Sequence, residues 1–260
     1  MKAVLSEVLK ASAGRRLAVF LDYDGTLTPI VERPEDAVLA PQTRAVLRSL
    51  ARRCALAVVS GRDLPDVRSR VGVPALHYAG SHGFDIEGPG VRHQHPRAQA
   101  AAAALHAAAE EIAGDTAGVA GVQLEPKRFA LAVHYRRARE ADLPAVRAAV
   151  ERARERHPEL RVSGGKKVLE LQPDIGWDKG RAVLWLLRAL HLDRRDVLPL
   201  YIGDDLTDED AFRALAGRGI GIAVQEERRP TAARFTLRDP AEVRAFLAGL
   251  SRAVAPQARA

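Results

Sequence analysis

One cysteine, Cys54, stands in 260 residues, so no disulfide can close within the chain. Its apolar neighbourhood marks it as a core filler in a reducing compartment. Long hydrophobic runs are also missing. Those present are alanine-rich or broken by charge well short of the ~20 apolar residues that a bilayer-spanning helix needs. Residues 1–16 carry Glu7 and Lys10 and no continuous apolar stretch, so no secretory signal is expected, and we expect a cytoplasmic protein with no membrane partner. Aromatic residues are scarce at 5%, and no five like charges adjoin. The 40 basic and 33 acidic residues leave a formal charge of +7, carried mostly by scattered arginines, which gives no stacking platform for bases and argues against nucleic acid. A basic surface suits a small anionic substrate equally well.

What is present is the composition of a packed globular chain, 47% apolar, with room for roughly one to two domains. Leu17-Ala-Val-Phe-Leu21 and Cys54-Ala-Leu-Ala-Val-Val59 are nearly continuous apolar runs, as in strands buried on both faces of a parallel sheet. Residues 41–53 place Val46, Leu47 and Leu50 at helical spacing, which supplies a crossover helix between them. Ala75-Leu-His-Tyr-Ala79 is a third strand candidate. Val197-Leu-Pro-Leu-Tyr-Ile202 and Ile220-Gly-Ile-Ala-Val224 repeat the pattern, separated by a helix at 209–215 for which Thr207 is the N-cap candidate. A further helix is expected over 179–192. These pieces predict a doubly wound, mostly parallel, Rossmann-like α/β core that is split in sequence.

Between the halves, the pattern predicts an alanine-rich helix at 97–112, a strand pair within 122–135, a helix at 142–156 and strands at 160–162 and 167–171. We therefore expect a core over 1–84 and 173–250, a smaller α/β domain inserted at 85–172, and a frayed tail at 251–260. No repeat of fixed period appears.

Four stretches carry chemistry. Asp22-Tyr23-Asp24-Gly25-Thr26-Leu27-Thr28 follows the first buried strand, so two carboxylates emerge where open α/β sheets bind ligands. Asp22 is placed to attack a phosphoryl group, with Asp24 as the acid that protonates the leaving oxygen. Gly25 permits a tight turn, and Thr26 can bond phosphate or backbone. Ser60-Gly61-Arg62 offers a hydroxyl and a backbone N–H at the same sheet edge, both donors to phosphate oxygen, and Gly61 and Arg62 are expected on the substrate. Lys179, at a helix start, supplies an ammonium that neutralises a phosphoryl group and keeps Asp22 charged. Gly203-Asp204-Asp205-Leu206-Thr207-Asp208-Glu209-Asp210 concentrates carboxylates beside Asp22, which is unfavourable without a divalent cation, and an all-oxygen donor set fits Mg²⁺. A solvated helix start would explain Asp208 to Asp210 but explains Asp204 and Asp205 poorly.

In this order the four stretches resemble the motifs of the haloacid-dehalogenase-like phosphohydrolases. That resemblance implies Asp22 as nucleophile, Asp24 as acid and base with its main-chain carbonyl on Mg²⁺, Ser60 and Lys179 on phosphate, and Asp204 as the remaining protein ligand, with Asp205 or Asp208 supporting it. Adding Gly80-Ser-His-Gly83, Glu125-Pro-Lys127, His134-Tyr-Arg136 and Val168-Leu-Glu170, the chain looks like the trehalose-6-phosphate phosphatases of that superfamily across residues 17–225. The resemblance implies hydrolysis of a sugar phosphate, trehalose 6-phosphate, and a cap domain between Ser60 and Lys179. In that cap Glu125, Lys127, Arg136 and Glu170 would hold sugar hydroxyls. Glu125 and Lys127 share a face if that segment is extended, and Pro126 suggests a sheet edge or loop. One departure is Gln172, where that family often has Arg, which bears on sugar contacts and not on the phosphoryl chemistry. Tyr23 and His82 either line the site or pack. The alternatives are a related sugar phosphatase or phosphohexomutase acting on a sucrose or mannosyl phosphate, and a sugar-phosphate-binding regulator without turnover. A monomer, functionally coupled to a trehalose-phosphate synthase, is the expected form.

Overall fold

The computed structural model describes residues 1–165 and 167–255. In chain order its regular elements are α1 (Lys2–Ala11), β1 (Arg16–Leu21), α2 (Pro41–Leu50), β2 (Ala55–Val59), α3 (Leu64–Val71), β3 (His77–Gly80), β4 (Asp85–Gly88) and β5 (Val91–Gln94). There follow α4 (Pro96–Ala100), α5 (Ala102–Thr116), β6 (Gln123–Pro126), β7 (Leu131–His134), α6 (Leu143–Arg156), β8 (Leu160–Gly165) and β9 (Val168–Pro173). The chain closes with α7 (Lys179–Ala189), β10 (Val197–Gly203), α8 (Asp208–Ala214), β11 (Ile220–Val224), β12 (Phe235–Leu237) and α9 (Pro240–Ala253). Among the described residues no helix is long and apolar enough to cross a membrane.

Two compact units result: Met1–His93 with the stretch from Asp178 onward, and Gln94–Trp177. The first holds an eight-stranded sheet in the order β12-β11-β10-β1-β2-β3-β4-β5. From β12 to β3 every pairing is parallel, and the direction reverses at β3 and β4. The continuous apolar strands are buried on both faces, as parallel strands flanked by helices must be. Leu17, Val19 and Leu21 point into a cluster with Leu47 and Leu50 of α2 and Phe246, Leu247 and Leu250 of α9. Alternation sends Tyr201 to the opposite face, where its ring meets Phe212 of α8 edge-on. Cys54 lies in the first cluster, its thiol directed at the Leu50 carbonyl, and burial pushes that thiol's pKa up to about 12.

The chain leaves β1 toward β2 and β3, then returns to β10 on the other side of β1. The sheet therefore has its switch point between β1 and β10, where open α/β sheets form a ligand crevice. Register sets Leu21 beside Ile202, so the residues that follow, Asp22 and Gly203-Asp204, share one rim.

The second unit is a four-stranded antiparallel sheet, β6-β7-β9-β8. One face packs Leu131, Val133, Leu169 and Leu171 against Leu105, Ala108 and Ile112 of α5 and Val146 and Val150 of α6. Because directly opposed residues share a face, the register Glu125–Ala132–Glu170–Ser163 runs across the other side, with Arg161, Gln172 and His134 beside it.

Three sequence expectations are corrected. The second unit begins at Gln94 and not at 85, because β4 and β5 extend the first sheet from its β3 edge. The alanine-rich helix is two helices that meet at Ala101, since a run of alanines carries little periodic information about where a helix starts. The tail expected from 251 begins later: α9 runs to Ala253, and the buried Ser251 Oγ donates to Ser49 Oγ at 2.9 Å. Residues 256–260 of that expected tail lie outside the described ones.

Candidate active site

At the shared rim the Asp22 carboxylate is buried, and Lys179 Nζ reaches its Oδ1 at 2.8 Å. Lys179 is the first residue of α7, whose start is fixed by the Asp178 carboxylate accepting the Arg181 N–H at 2.7 Å. The ammonium also donates to Asp208 Oδ1 at 2.7 Å. Asp208 is 0% exposed and saturated. Oδ1 also takes the Tyr201 hydroxyl at 2.6 Å, and Oδ2 takes the backbone N–H groups of Asp204 and Asp205 at 2.9 Å each. Asp208 thus binds the loop after β10, the lysine and the floor of the site into one network. Gly203 allows this, because a Cβ there would lie 2.3 Å from Asp208 Cγ.

Asp22, Asp204 and Asp208 can each bring one carboxylate oxygen within 4.8 Å of the others. With Asp208 committed to four donors, the oxygens left for a cation are those of Asp22 and Asp204. Burial, and then the Asp208 and Asp204 charges working against Lys179, hold the Asp22 carboxyl well above the usual range. Burial, with Asp208 next, pushes Asp204 up to about 7. Burial works against the Lys179 ammonium, but Asp208 and Asp22 more than reverse it and keep it charged. Three carboxylates against one ammonium leave two negative charges when all are ionised. An all-oxygen set carrying that excess fits a divalent cation such as Mg²⁺.

Gly25 and Thr26 lie against Asp204. Gly25 has φ of +78°, and an added Cβ would fall 2.1 Å from Asp204 Oδ2, so any side chain here would strain the backbone and push the Asp204 carboxylate aside. The buried Thr26 hydroxyl donates to Asp204 Oδ1 at 3.4 Å, so this side chain steadies a carboxylate.

Ser60 directly follows β2, buried, with its N–H on the Ala79 carbonyl at 2.9 Å and its Oγ accepting the Arg62 N–H at 3.1 Å. The following strand end is strained: Ser81 and His82 have φ of +48° and +56°. Ser81 N–H on the Arg62 carbonyl, Ser81 Oγ on Asp63 Oδ1 and His82 N–H on the Ser60 carbonyl hold that shape. It lays the His82 ring over Gly61, where a Cβ would come within 2.9 Å of the imidazole. His82 therefore adjoins the Ser60-Gly61 turn.

Several expectations need correction. Tyr23 does not line the site through its side chain: it is fully buried, and its hydroxyl donates to the Ala37 carbonyl at 2.8 Å. Arg62, expected on substrate, spends its guanidinium inside the protein, with Nε and Nη2 on the two oxygens of Asp24 at 2.6 and 2.7 Å. The acidic run after β10 is also the reverse of a solvated helix start. Asp208 is its most buried member, and Glu209 is buried and accepts the Ala232 N–H at 2.7 Å, whereas Asp205 is exposed and bonded to the Leu206 N–H. Asp205 thus supports the cluster through its backbone N–H on Asp208, while its own side chain is exposed. Thr207 precedes α8 without a side-chain capping bond. Tyr201 was missed in the sequence. The signal was there: a tyrosine in an otherwise apolar buried strand must find a partner for its hydroxyl.

In the second unit, Lys127 Nζ meets Glu170 Oε1 at 2.9 Å and the His134 ring meets Glu125 Oε2 at 2.8 Å, all on the face away from the helices. Pro126 ends the edge strand β6, as its missing N–H requires. Arg136 is exposed in the turn after β7. Gln172 is buried on the same face, with Nε2 donating to Ser163 Oγ at 3.0 Å.

The trehalose-phosphatase family model matches residues 20–241. The trehalose-phosphate phosphatase of Mycobacterium tuberculosis is 48% identical over 243 residues, covering 92% of this chain and 62% of the relative, so the chain spans less than two thirds of that protein. A trehalose 6-phosphate phosphatase of Zea mays is 43% identical over 265 residues, covering 96% of this chain and 73% of the relative. The solved structure of Aspergillus fumigatus trehalose-6-phosphate phosphatase superposes with a TM-score of 0.69 at 30% identity, covering 95% of this chain and 97% of that one. The chain belongs to the trehalose-phosphatase family.

Proposed function

We propose that this chain hydrolyses trehalose 6-phosphate to trehalose and phosphate, in two displacements through an aspartyl phosphate on Asp22, with Mg²⁺. The observation that carries the reading is the convergence of Asp22, Lys179 and Asp204 around the saturated Asp208 at one rim of the sheet. A cation held by the Asp22 and Asp204 carboxylates and the Asp24 main-chain carbonyl would neutralise phosphoryl oxygens.

The chain's own residues do the rest. Asp22 Oδ attacks phosphorus. Lys179 balances the charge on the transferring group and works toward the ionised form of the attacking carboxylate against the effect of its burial. The Ser60 hydroxyl, which accepts from Arg62 N–H, retains its proton to donate to a phosphoryl oxygen, and the Gly61 N–H is a second donor. Asp24 gives a proton to the departing sugar oxygen and afterwards takes one from the water that attacks the phospho-Asp22. Glu125, Lys127, Arg136 and Glu170 hold sugar hydroxyls. A disaccharide has no charge beyond its phosphate, so discrimination depends on polar groups left unpaired when a shorter sugar binds.

The test is phosphate release from pure trehalose 6-phosphate, sucrose 6-phosphate and glucose 6-phosphate, with Mg²⁺ and with chelator. Rapid, Mg²⁺-dependent release from trehalose 6-phosphate is expected. Equal rates on all three sugars would overturn the specificity, and release undiminished by chelator would overturn the cation.

A further inference from the structure

The chain's expected proton donor is not a loose side chain. Arg62 grips Asp24 with two parallel bonds, Nε to Oδ2 at 2.6 Å and Nη2 to Oδ1 at 2.7 Å, and such a fork fixes the plane of a carboxyl group as well as its position. The grip is itself anchored. Arg62 Nη1 donates to Asp66 Oδ2 at 2.9 Å, Nη2 also donates to the Pro34 carbonyl at 2.8 Å, and the guanidinium lies 5.4 Å from the centre of the Tyr23 ring. Asp66, on α3, accepts from Arg70 Nε at 2.8 and 2.9 Å. A chain of alternating charge, Arg70–Asp66–Arg62–Asp24, thus runs from a helix to the site. All three guanidinium nitrogens have partners within the protein, and the Arg62 side chain is only 12% exposed. That is the geometry of a brace, not of a phosphate clamp.

We infer that Arg62 is a positioning residue for proton transfer: it holds the Asp24 carboxyl in the orientation that serves the leaving oxygen and balances the charge left on Asp24 as the proton departs. The inference rests on the phosphatase reading. In the step concerned, a bond forms between Asp22 Oδ and phosphorus while the bond from phosphorus to the sugar oxygen breaks. The electron pair stays on that oxygen, which takes the proton from Asp24. Each Asp24 oxygen keeps a second lone pair beside its bond to Arg62, so the fork leaves room for the proton. A sugar alkoxide cannot leave without that proton, whereas nitrophenolate can. A residue acting through Asp24 must therefore matter in proportion to leaving-group basicity, and a residue acting on the phosphoryl group must matter equally for both.

The experiment measures kcat/KM, which covers the steps up to release of the leaving group, with Mg²⁺ on trehalose 6-phosphate and p-nitrophenyl phosphate. It compares wild type, Arg62→Met, Arg62→Lys, Asp24→Asn and the Arg62→Met/Asp24→Asn double variant. Arg62→Met should lose about 10²-fold on the sugar phosphate and no more than about threefold on the aryl phosphate. The double variant should be within about twofold of Asp24→Asn on the sugar phosphate, because the brace has nothing left to hold. Should Arg62→Met fold poorly, Arg62→Lys, which keeps the charge and loses the fork, must show the same ordering of substrates with a smaller loss. Equal losses on both substrates, or losses that multiply in the double variant, overturn the inference while leaving wild-type turnover and the phosphatase reading intact. A wild type that hydrolyses neither substrate overturns both.

Discussion

The two units present polar side chains in opposite ways. In the first, the functional groups sit at the rim of a sheet covered on both faces, so Asp22, Ser60, Lys179 and Asp208 are buried, with Lys179 bonded to two carboxylates and Asp208 to four donors. In the second, Glu125, Lys127, His134 and Glu170 line the side of an antiparallel sheet opposite its apolar cluster, where Lys127 pairs with Glu170 and His134 with Glu125 at side-chain exposures of 15–42%. Buried groups held by a saturated hub such as Asp208 cannot reorganise cheaply, which suits charge stabilisation during bond making. Ion pairs that keep some exposure exchange partners at smaller cost than fully buried ones, which suits recognition of hydroxyls.

Substitutions should separate these regimes. The largest effect is expected from Asp22→Asn, which should remove turnover of every phosphate ester by on the order of 10⁴-fold or more while leaving the thermal midpoint within about 3 °C of wild type. Retained turnover, assayed with a sensitive phosphate probe, would move the nucleophile elsewhere. Next comes Asp208→Asn. An amide cannot accept four donors, and breaking such a buried network costs about 3 kcal/mol, or a midpoint lower by about 10 °C in calorimetry, with activity lost alike on sugar and aryl esters. A variant as stable as wild type would show that the hub is dispensable. Lys127→Ala should raise KM for trehalose 6-phosphate about tenfold and leave that for a small aryl phosphate within about twofold. Matching changes on both would remove Lys127 from sugar recognition.

The smallest effect concerns pH. The hydrogen bond from His134 holds the Glu125 carboxyl below its ordinary value, against the opposing influence of burial. A depressed carboxylate stabilises the fold above its unfolded-state pKa of about 4.3, and that contribution disappears as pH falls through the lower folded-state value. Both partners are about a third exposed, so solvent screening leaves well under 1 kcal/mol. The midpoint of His134→Gln should trail wild type by about 1 °C at pH 6, with the gap closing at pH values below about 4. A gap that widens on acidification reverses the assignment.

The sheet was legible because a strand buried on both faces leaves a continuous apolar run, and Leu17 to Leu21 and Val197 to Ile202 are such runs. Asp22, Lys179 and Asp204 followed from their places at strand ends and a helix start. What escaped were choices made in three dimensions. A string of acidic residues does not say which one turns inward. The start of α8 at Asp208 directs that side chain back under the β10 loop and leaves Asp205 facing solvent. Nor does Ser-Gly-Arg reveal that its arginine reaches across to Asp24 from a neighbouring strand end. The short β4 and β5 were missed because four-residue antiparallel strands at a sheet edge carry almost no periodic signal.

Cys54 turns this fold into its own reporter. As the sole thiol, shut in the core with its ionisation suppressed, it stays silent toward alkylating and disulfide reagents while the native packing holds. The rate at which a dye couples to it therefore counts how often the larger sheet breathes open, with no label engineered and no second sulfhydryl to subtract.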